Sequence, residues 1–121
     1  MKVKDGIKWT KEFYPSFNIK YAYELAANFK LNIDKKIKDL STGYNSIFKL
    51  ILGLSSGASI ILFDEPILGL DANHRELFYR ELIKSYSEQP KPIVVSTHLI
   101  DEISNVLEEI IIIKDGEILL A

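Results

Sequence analysis

Hydrophobic positions in this chain change period near its middle. Over residues 1 to about 54 the pattern is helical and rich in aromatics. Trp9, Phe13, Phe17, Tyr21 and Leu25 recur every fourth residue, the spacing of one helix face, although Pro15 breaks any helix through Glu12 to Phe17. A cleaner helix is predicted from about Asn18 to Phe29, followed by a lysine-rich connector from Leu31 to Asp39. Leu40-Ser41-Thr42-Gly43-Tyr44 then opens an apolar helix through Leu54, which Ser55-Ser56-Gly57 ends.

From Ser59 onward strands and helices alternate. Ile60-Ile61-Leu62-Phe63 is a continuous apolar run, as expected for a strand buried on both faces. Ala72 to Tyr86 reads as a helix with Phe78, Leu82 and Tyr86 on one face and Asp71 or Asn73 as its cap. Ile93 to Ser96 is a second strand, Leu99 to Ile110 a helix capped by Thr97, and Ile110 to Ile113 a third strand. Asp115-Gly116 turns the chain into a final strand, Glu117 to Leu120. This order predicts an α/β fold with a mainly parallel sheet, preceded by helices. The natural division is 1–56 as a helical subdomain and 57–121 as an α/β core segment.

Composition narrows the function classes. A chain of 121 residues with 47% hydrophobic and 26% charged side chains suits one globular domain and excludes disorder as its main state. No apolar stretch approaches the ~20 residues of a membrane span, and no secretion leader is visible. The absence of cysteine excludes disulfides and thiolate metal sites and fits a reducing compartment, so a soluble cytoplasmic protein is expected. Residues 1 to 40 carry nine Lys and five acids, whereas residues 41 to 121 carry six basic and twelve acidic groups. The basic front is scattered between aromatics and lacks a recognition motif, so a solvated face is expected rather than a nucleic-acid partner.

Three local patterns can carry chemistry. Asp64-Glu65-Pro66 follows the strand Ile60 to Phe63, at the edge where open α/β sheets bind ligands. Asp64 there can hold Mg²⁺, and Glu65 can orient and deprotonate water; equally, the acids can simply end the strand. Ser41 and the Gly43 amide at a helix N-terminus can bind phosphate oxygens, or serve as an ordinary cap and a permissive glycine. His98 follows a strand end and can donate to a terminal phosphate, or be structural. Asp71 reads as a cap or an intersubunit contact, and His74 as a solvated helix residue.

The order of these patterns resembles the ATP-binding cassette (ABC) transporter ATPases. Leu40 to Tyr44 stand as the signature motif, Ile60 to Pro66 as the Walker B strand, Leu68 to Asp71 as the D-loop, and His98, closing Ser96-Thr97-His98, as the switch histidine. Ile110 to Leu120 is similar to the family's following strand–turn–strand. The resemblance covers residues 37 to 121 strongly and 9 to 36 loosely. It implies a partial P-loop-NTPase-like sheet, with Asp64 on Mg²⁺, Glu65 as general base and His98 on the γ-phosphate of ATP. It further implies that Asp71 links two halves of a dimer. Ser41, Thr42, Gly43 and Tyr44 would meet ATP held by a second nucleotide-binding subunit. The motif departs from the common Leu-Ser-Gly-Gly-Gln form at Thr42 and Tyr44, while the phosphate-facing Ser41 and Gly43 are intact.

No Gly-x-x-x-x-Gly-Lys cradle occurs, since none of the six glycines precedes a Lys. The first expectation is therefore a truncated ATPase subunit of a transporter, weak in nucleotide binding and negligible in turnover alone. It would be cytoplasmic, peripheral to the inner face of the membrane, and bound to a transmembrane permease subunit. The alternative is a non-catalytic half-module supplying a signature motif in trans; a third reading is an α/β domain whose motifs are coincidental. In the family the cradle's strand lies between the strand before the switch histidine and the Ile110 to Ile113 strand. Its absence predicts two unpaired buried edges, and hence swapping, dimerisation or dependence on a missing half. The aromatic zone Trp9 to Tyr23 is a candidate permease-docking face, with Tyr14 and Phe17 as the positions that test it, although core packing is the expected use of most of these rings.

Overall fold

A computed structural model describes residues 1–67, 69–89, 93–96, 110–114 and 117–120. The helical half contains α1 (Val3–Phe13), α2 (Ile19–Asn28), a 3₁₀ turn (Ile37–Asp39) and α3 (Thr42–Leu54). The remainder comprises β1 (Ile61–Asp64), α4 (Ala72–Glu88), β2 (Ile93–Ser96), β3 (Ile110–Lys114) and β4 (Glu117–Leu120). Local chemistry sets the helix starts: Asn18 accepts from the Tyr21 amide, Ser41 from the Tyr44 amide and Asp71 from the His74 amide. The predicted connector after Leu31 is tied back to the chain's start. The Val3 amide donates to Lys35 O at 3.0 Å and the Ile37 amide to Met1 O at 3.0 Å.

The ladder of rings does not form one helix face. The chain turns at residues 14 to 17, held by the Lys11 ammonium, which donates to Pro15 O at 2.8 Å and Phe17 O at 2.9 Å. Before the turn, α1 buries Val3, Gly6 and Ile7 instead, leaving Trp9 (51% exposed) and Phe13 (61% exposed) stacked on each other outside at 4.7 Å. After it, Phe17 is 1% exposed. Phe17 is thus a core residue, the use expected for most of these rings, and drops out of the candidate docking face; Tyr14 is exposed.

The sheet has strand order β1-β2-β3-β4, parallel across β1, β2 and β3 and antiparallel at β4. It is the mainly parallel sheet that the sequence predicts. Two expectations about it are corrected. First, β2 and β3 pair directly, Ile93 with Ile110 through Ser96 with Ile113, so neither has the open inner edge that a missing strand would leave. Each apolar run needs a neighbouring strand for its backbone groups, and the two supply each other. Those two edges are therefore occupied by each other and offer no place for strand swapping. Second, among the described residues β1 is covered on one face rather than two. Ile61 and Phe63 are buried, while Leu62 is 67% exposed.

The covered face of β1 meets α3 and α4. Phe63 packs edge-on to Phe78 of α4 at 5.9 Å. It also crosses α3 so closely that a Cβ on Gly53 would lie 2.7 Å from its Cε1. The buried side chains from both halves, from Val3 through Ile51 to Phe78 and Ile93, form one continuous cluster across residue 56. This core holds the N-terminus of α3 and the segment after β1 in fixed relation.

Candidate functional site

The N-terminus of α3 is the first component. Ser41 Oγ accepts the Tyr44 N–H at 3.1 Å, and the Asn45 amide donates to Ser41 O at 2.8 Å. The Ser41 side chain is exposed, so its own O–H remains a donor toward anything beyond the helix end. The first-turn amides of a helix lack intrahelical partners and carry partial positive charge, so this turn favours an anion.

The second component is the segment following β1. Asp64 ends the strand in register with Ser96 and is exposed. Glu65 has φ +45°, in the left-handed region that non-glycine residues enter at a cost of about 1–3 kcal/mol. That conformation turns the chain sharply, buries Pro66 and Ile67 and leaves Glu65 half-buried. Among the described residues no group of three or more His, Asp or Glu side chains comes together as a metal cage. One exposed carboxylate at a strand end fits the way Mg²⁺ is bound, by one or two carboxylates plus phosphate oxygens.

The third component is the turn into α4, where Gly69 has φ +77°. Asp71 Oδ1 accepts the His74 amide at 2.8 Å, fixing Asp71 as the cap in preference to Asn73, and the carboxylate is 67% exposed. Its Oδ1 also lies 3.6 Å from His74 Nδ1.

The structure joins the first and third components. A Cβ on Gly43 would stand 2.6 Å from Gly69 O, and one on Gly69 would stand 3.0 Å from both Gly43 N and Thr42 Cγ2. The two backbones touch, which only glycine at both positions permits. Tyr44 meets His74 edge-on at 5.7 Å, and buried Phe29 lies 6.1 Å from the same imidazole. Ser41, Thr42, Gly43, Tyr44 and Asp71 thus form one surface, while Asp64 and Glu65 stand at the end of β1. His98 lies outside the described residues. His74, read from the sequence as solvated, is 23% exposed and part of this cluster. Its spacing from the Asp71 cap was the signal available for it.

One further polar feature escaped the sequence. A cleft of about 610 Å³ between α2, α4 and the end of α3 is walled by residues including Lys20, Tyr21, Glu24 and Lys84. The Tyr21 hydroxyl donates to Glu81 Oε2 at 3.2 Å. Burial, and then the Glu81 carboxylate, push its ionisation well above the ordinary tyrosine range.

No protein-family model matches the chain. Individual relatives do. The ABC transporter ATP-binding protein YtrB of Bacillus subtilis is 28% identical over 108 residues, 89% of this chain and 37% of that protein. The putative ABC transporter ATP-binding protein AlbC of the same organism is 31% identical over 93 residues, 77% of this chain and 38% of that protein. A bacterial ABC transporter cassette solved as a dimer is 32% identical with a TM-score of 0.66, across 83% of this chain and 44% of that one. The chain belongs to the ABC transporter ATP-binding family. A putative cobalt transport ATP-binding protein superposes with a TM-score of 0.75 at 25% identity, covering 94% of this chain and 42% of that structure. An ATP-binding subunit of an ABC transporter at 16% identity shares the fold, with a TM-score of 0.80 over 98% of this chain and 51% of that one. This ABC chain spans little more than a third of the length of YtrB and AlbC.

Proposed function

We propose that this chain supplies the signature-motif and Walker B side of an ATP site in an ABC transporter ATPase. Residues 1–56 act as the helical subdomain and 57–121 as the core segment. The observation that carries this reading is the backbone contact between Gly43 and Gly69. It sets the positive end of α3 and the Asp71 turn side by side as one exposed surface, next in sequence to the carboxylates closing β1. In this reading the substrate is ATP with Mg²⁺, an ion that would neutralise charge on the phosphates as the γ-phosphoryl group passes to water and ADP departs.

The chain's own residues then divide the work. Asp64 is the carboxylate that holds the ion, and Glu65 orients water and accepts its proton. His98 is assigned the γ-phosphate contact by its place in the sequence. The Ser41 hydroxyl donates to a phosphate oxygen of nucleotide held by a second nucleotide-binding subunit. The amides of Thr42, Gly43 and Tyr44 add the helix-end field. Asp71, exposed beside them, meets that subunit. A transmembrane permease is the further partner, met through the exposed Trp9, Phe13 and Tyr14, and the chain works at the inner face of the membrane. No described helix is long and apolar enough to cross one.

The 121 residues contain no Gly-x-x-x-x-Gly-Lys cradle, so the α- and β-phosphates need a second polypeptide segment. Calorimetric titration of the chain with ATP and Mg²⁺ tests this. Binding no tighter than millimolar is expected. Micromolar binding by the chain alone would overturn this division of work among the residues.

A further inference from the structure

The two positions at which the signature departs from its common form are both used in the structure, and neither side chain is needed for the proposed phosphate contacts. Thr42 places its methyl 3.0 Å from where a Gly69 side chain would begin. Tyr44 lays its ring at 63° to the His74 imidazole, 5.7 Å between centroids. His74 is held in turn by Asp71, which caps it at 2.8 Å through the backbone and lies 3.6 Å from Nδ1. Phe29, fully buried, lies 6.1 Å from the same imidazole, tilted at 48° to it. Two routes therefore run from the first turn of α3 to the turn that begins α4. One passes through the backbones of Gly43 and Gly69; the other passes through Tyr44, His74 and Asp71.

We infer that Tyr44 and His74 are positioning residues that lock the residue 69–71 turn to the signature turn within the same chain. The two segments then meet a partner as one preset surface. The inference rests on the proposed pairing with a second nucleotide-binding subunit for its purpose and on the contacts alone for its existence. Two loops ordered separately on binding each carry an ordering cost, whereas loops already joined avoid it. A glutamine at position 44, the residue of the common signature, has a flexible polar end with no π-face for the imidazole. Tyrosine supplies a rigid ring that reaches His74 in place of solvent. An aromatic contact of this kind contributes beyond its buried area, enough to change a local opening equilibrium about 3- to 10-fold.

Amide hydrogen exchange on the full chain without nucleotide tests it. The reporters are the Leu70 amide, bonded to Ile67 O at 3.1 Å, and the His74 amide, bonded to Asp71; Leu25 and Ala26 in α2 are internal references. Tyr44→Ala and His74→Ala should each speed the reporters about 3- to 10-fold relative to the references. The double variant should match the single ones, and Tyr44→Phe should restore the parent rates. Tyr44→Gln gives the same reading if Tyr44→Ala does not fold. Unchanged reporters, effects that add in the double variant, or equal acceleration at Leu25 and Ala26 would each overturn the lock. Because no nucleotide is present, failure of the proposed pairing with a second subunit leaves this result standing, and failure of the lock leaves that pairing standing.

Discussion

Gly43→Ala is the sharpest test of how the site is built. Alanine is the better helix former, by up to about 1 kcal/mol in a helix interior and by less in a first turn. On propensity alone the substitution stabilises α3. The structure opposes it, since the new Cβ would lie 2.6 Å from Gly69 O and 3.3 Å from Gly69 C. Both are backbone atoms of a turn pinned by buried Ile67 and Leu70, so neither yields as a flexible side chain would. Overpacking of this kind costs about 1–3 kcal/mol. The steric term wins, leaving a net loss of about 1–2 kcal/mol. For a domain of this size that lowers Tm by about 4–8 °C, read by circular dichroism. The loss should be accompanied by faster amide exchange at Leu70. An unchanged or raised Tm would show that propensity governs position 43 and that the two turns do not touch.

Other positions give independent outcomes. Phe17→Ala should cost about 3–5 kcal/mol in denaturant unfolding, because its ring is 1% exposed, whereas exposed Tyr14→Ala should change stability by less than about 0.5 kcal/mol. Comparable effects would place Phe17 outside the core. At Glu65, where φ is +45°, Glu65→Gly should be more stable than Glu65→Ala by about 1 kcal/mol, since both lose the side chain and only glycine accepts that backbone freely. Equal Tm values would remove the left-handed turn. Tyr21 ionises above its unfolded value, so its contribution to stability is complete below that value, near pH 10, and is lost as pH rises through it toward the folded value. The denaturation midpoint should fall on raising the pH beyond about 10, and Tyr21→Phe should reduce the fall; an identical fall would mean other groups cause it.

Local chemistry was legible in the sequence wherever one residue type does one job. Ser41 and Asp71 announce helix starts by side-chain oxygens that accept first-turn amides, and both caps form. The apolar runs at Ile61, Ile93 and Ile110 become strands because β-branched residues suit a buried pleat. Burial direction was less legible. The rings of Trp9 and Phe13 share a spacing with Phe17, yet the turn secured by Lys11 separates them, and α1 buries the smaller Val3 and Ile7. Leu62 sits in a run as apolar as its neighbours and still faces outward, because hydrophobicity does not say how many layers cover a sheet. The direct pairing of β2 with β3 and the meeting of Gly43 with Gly69 join residues far apart in the chain. Such pairings depend on topology, to which local periodicity is blind. His74 was missed for the same reason: its neighbours Tyr44 and Phe29 lie far from it in the chain.

The measurement that bears most directly on the site is sedimentation of this chain mixed with a complete, hydrolysis-deficient ABC cassette, with and without ATP and Mg²⁺. An ATP-dependent one-to-one complex is expected, which Ser41→Ala weakens about tenfold through the loss of one hydrogen bond to a charged oxygen. Pairing that ignores ATP, or that Ser41→Ala leaves intact, would contradict the claim that this surface meets nucleotide held by a second subunit.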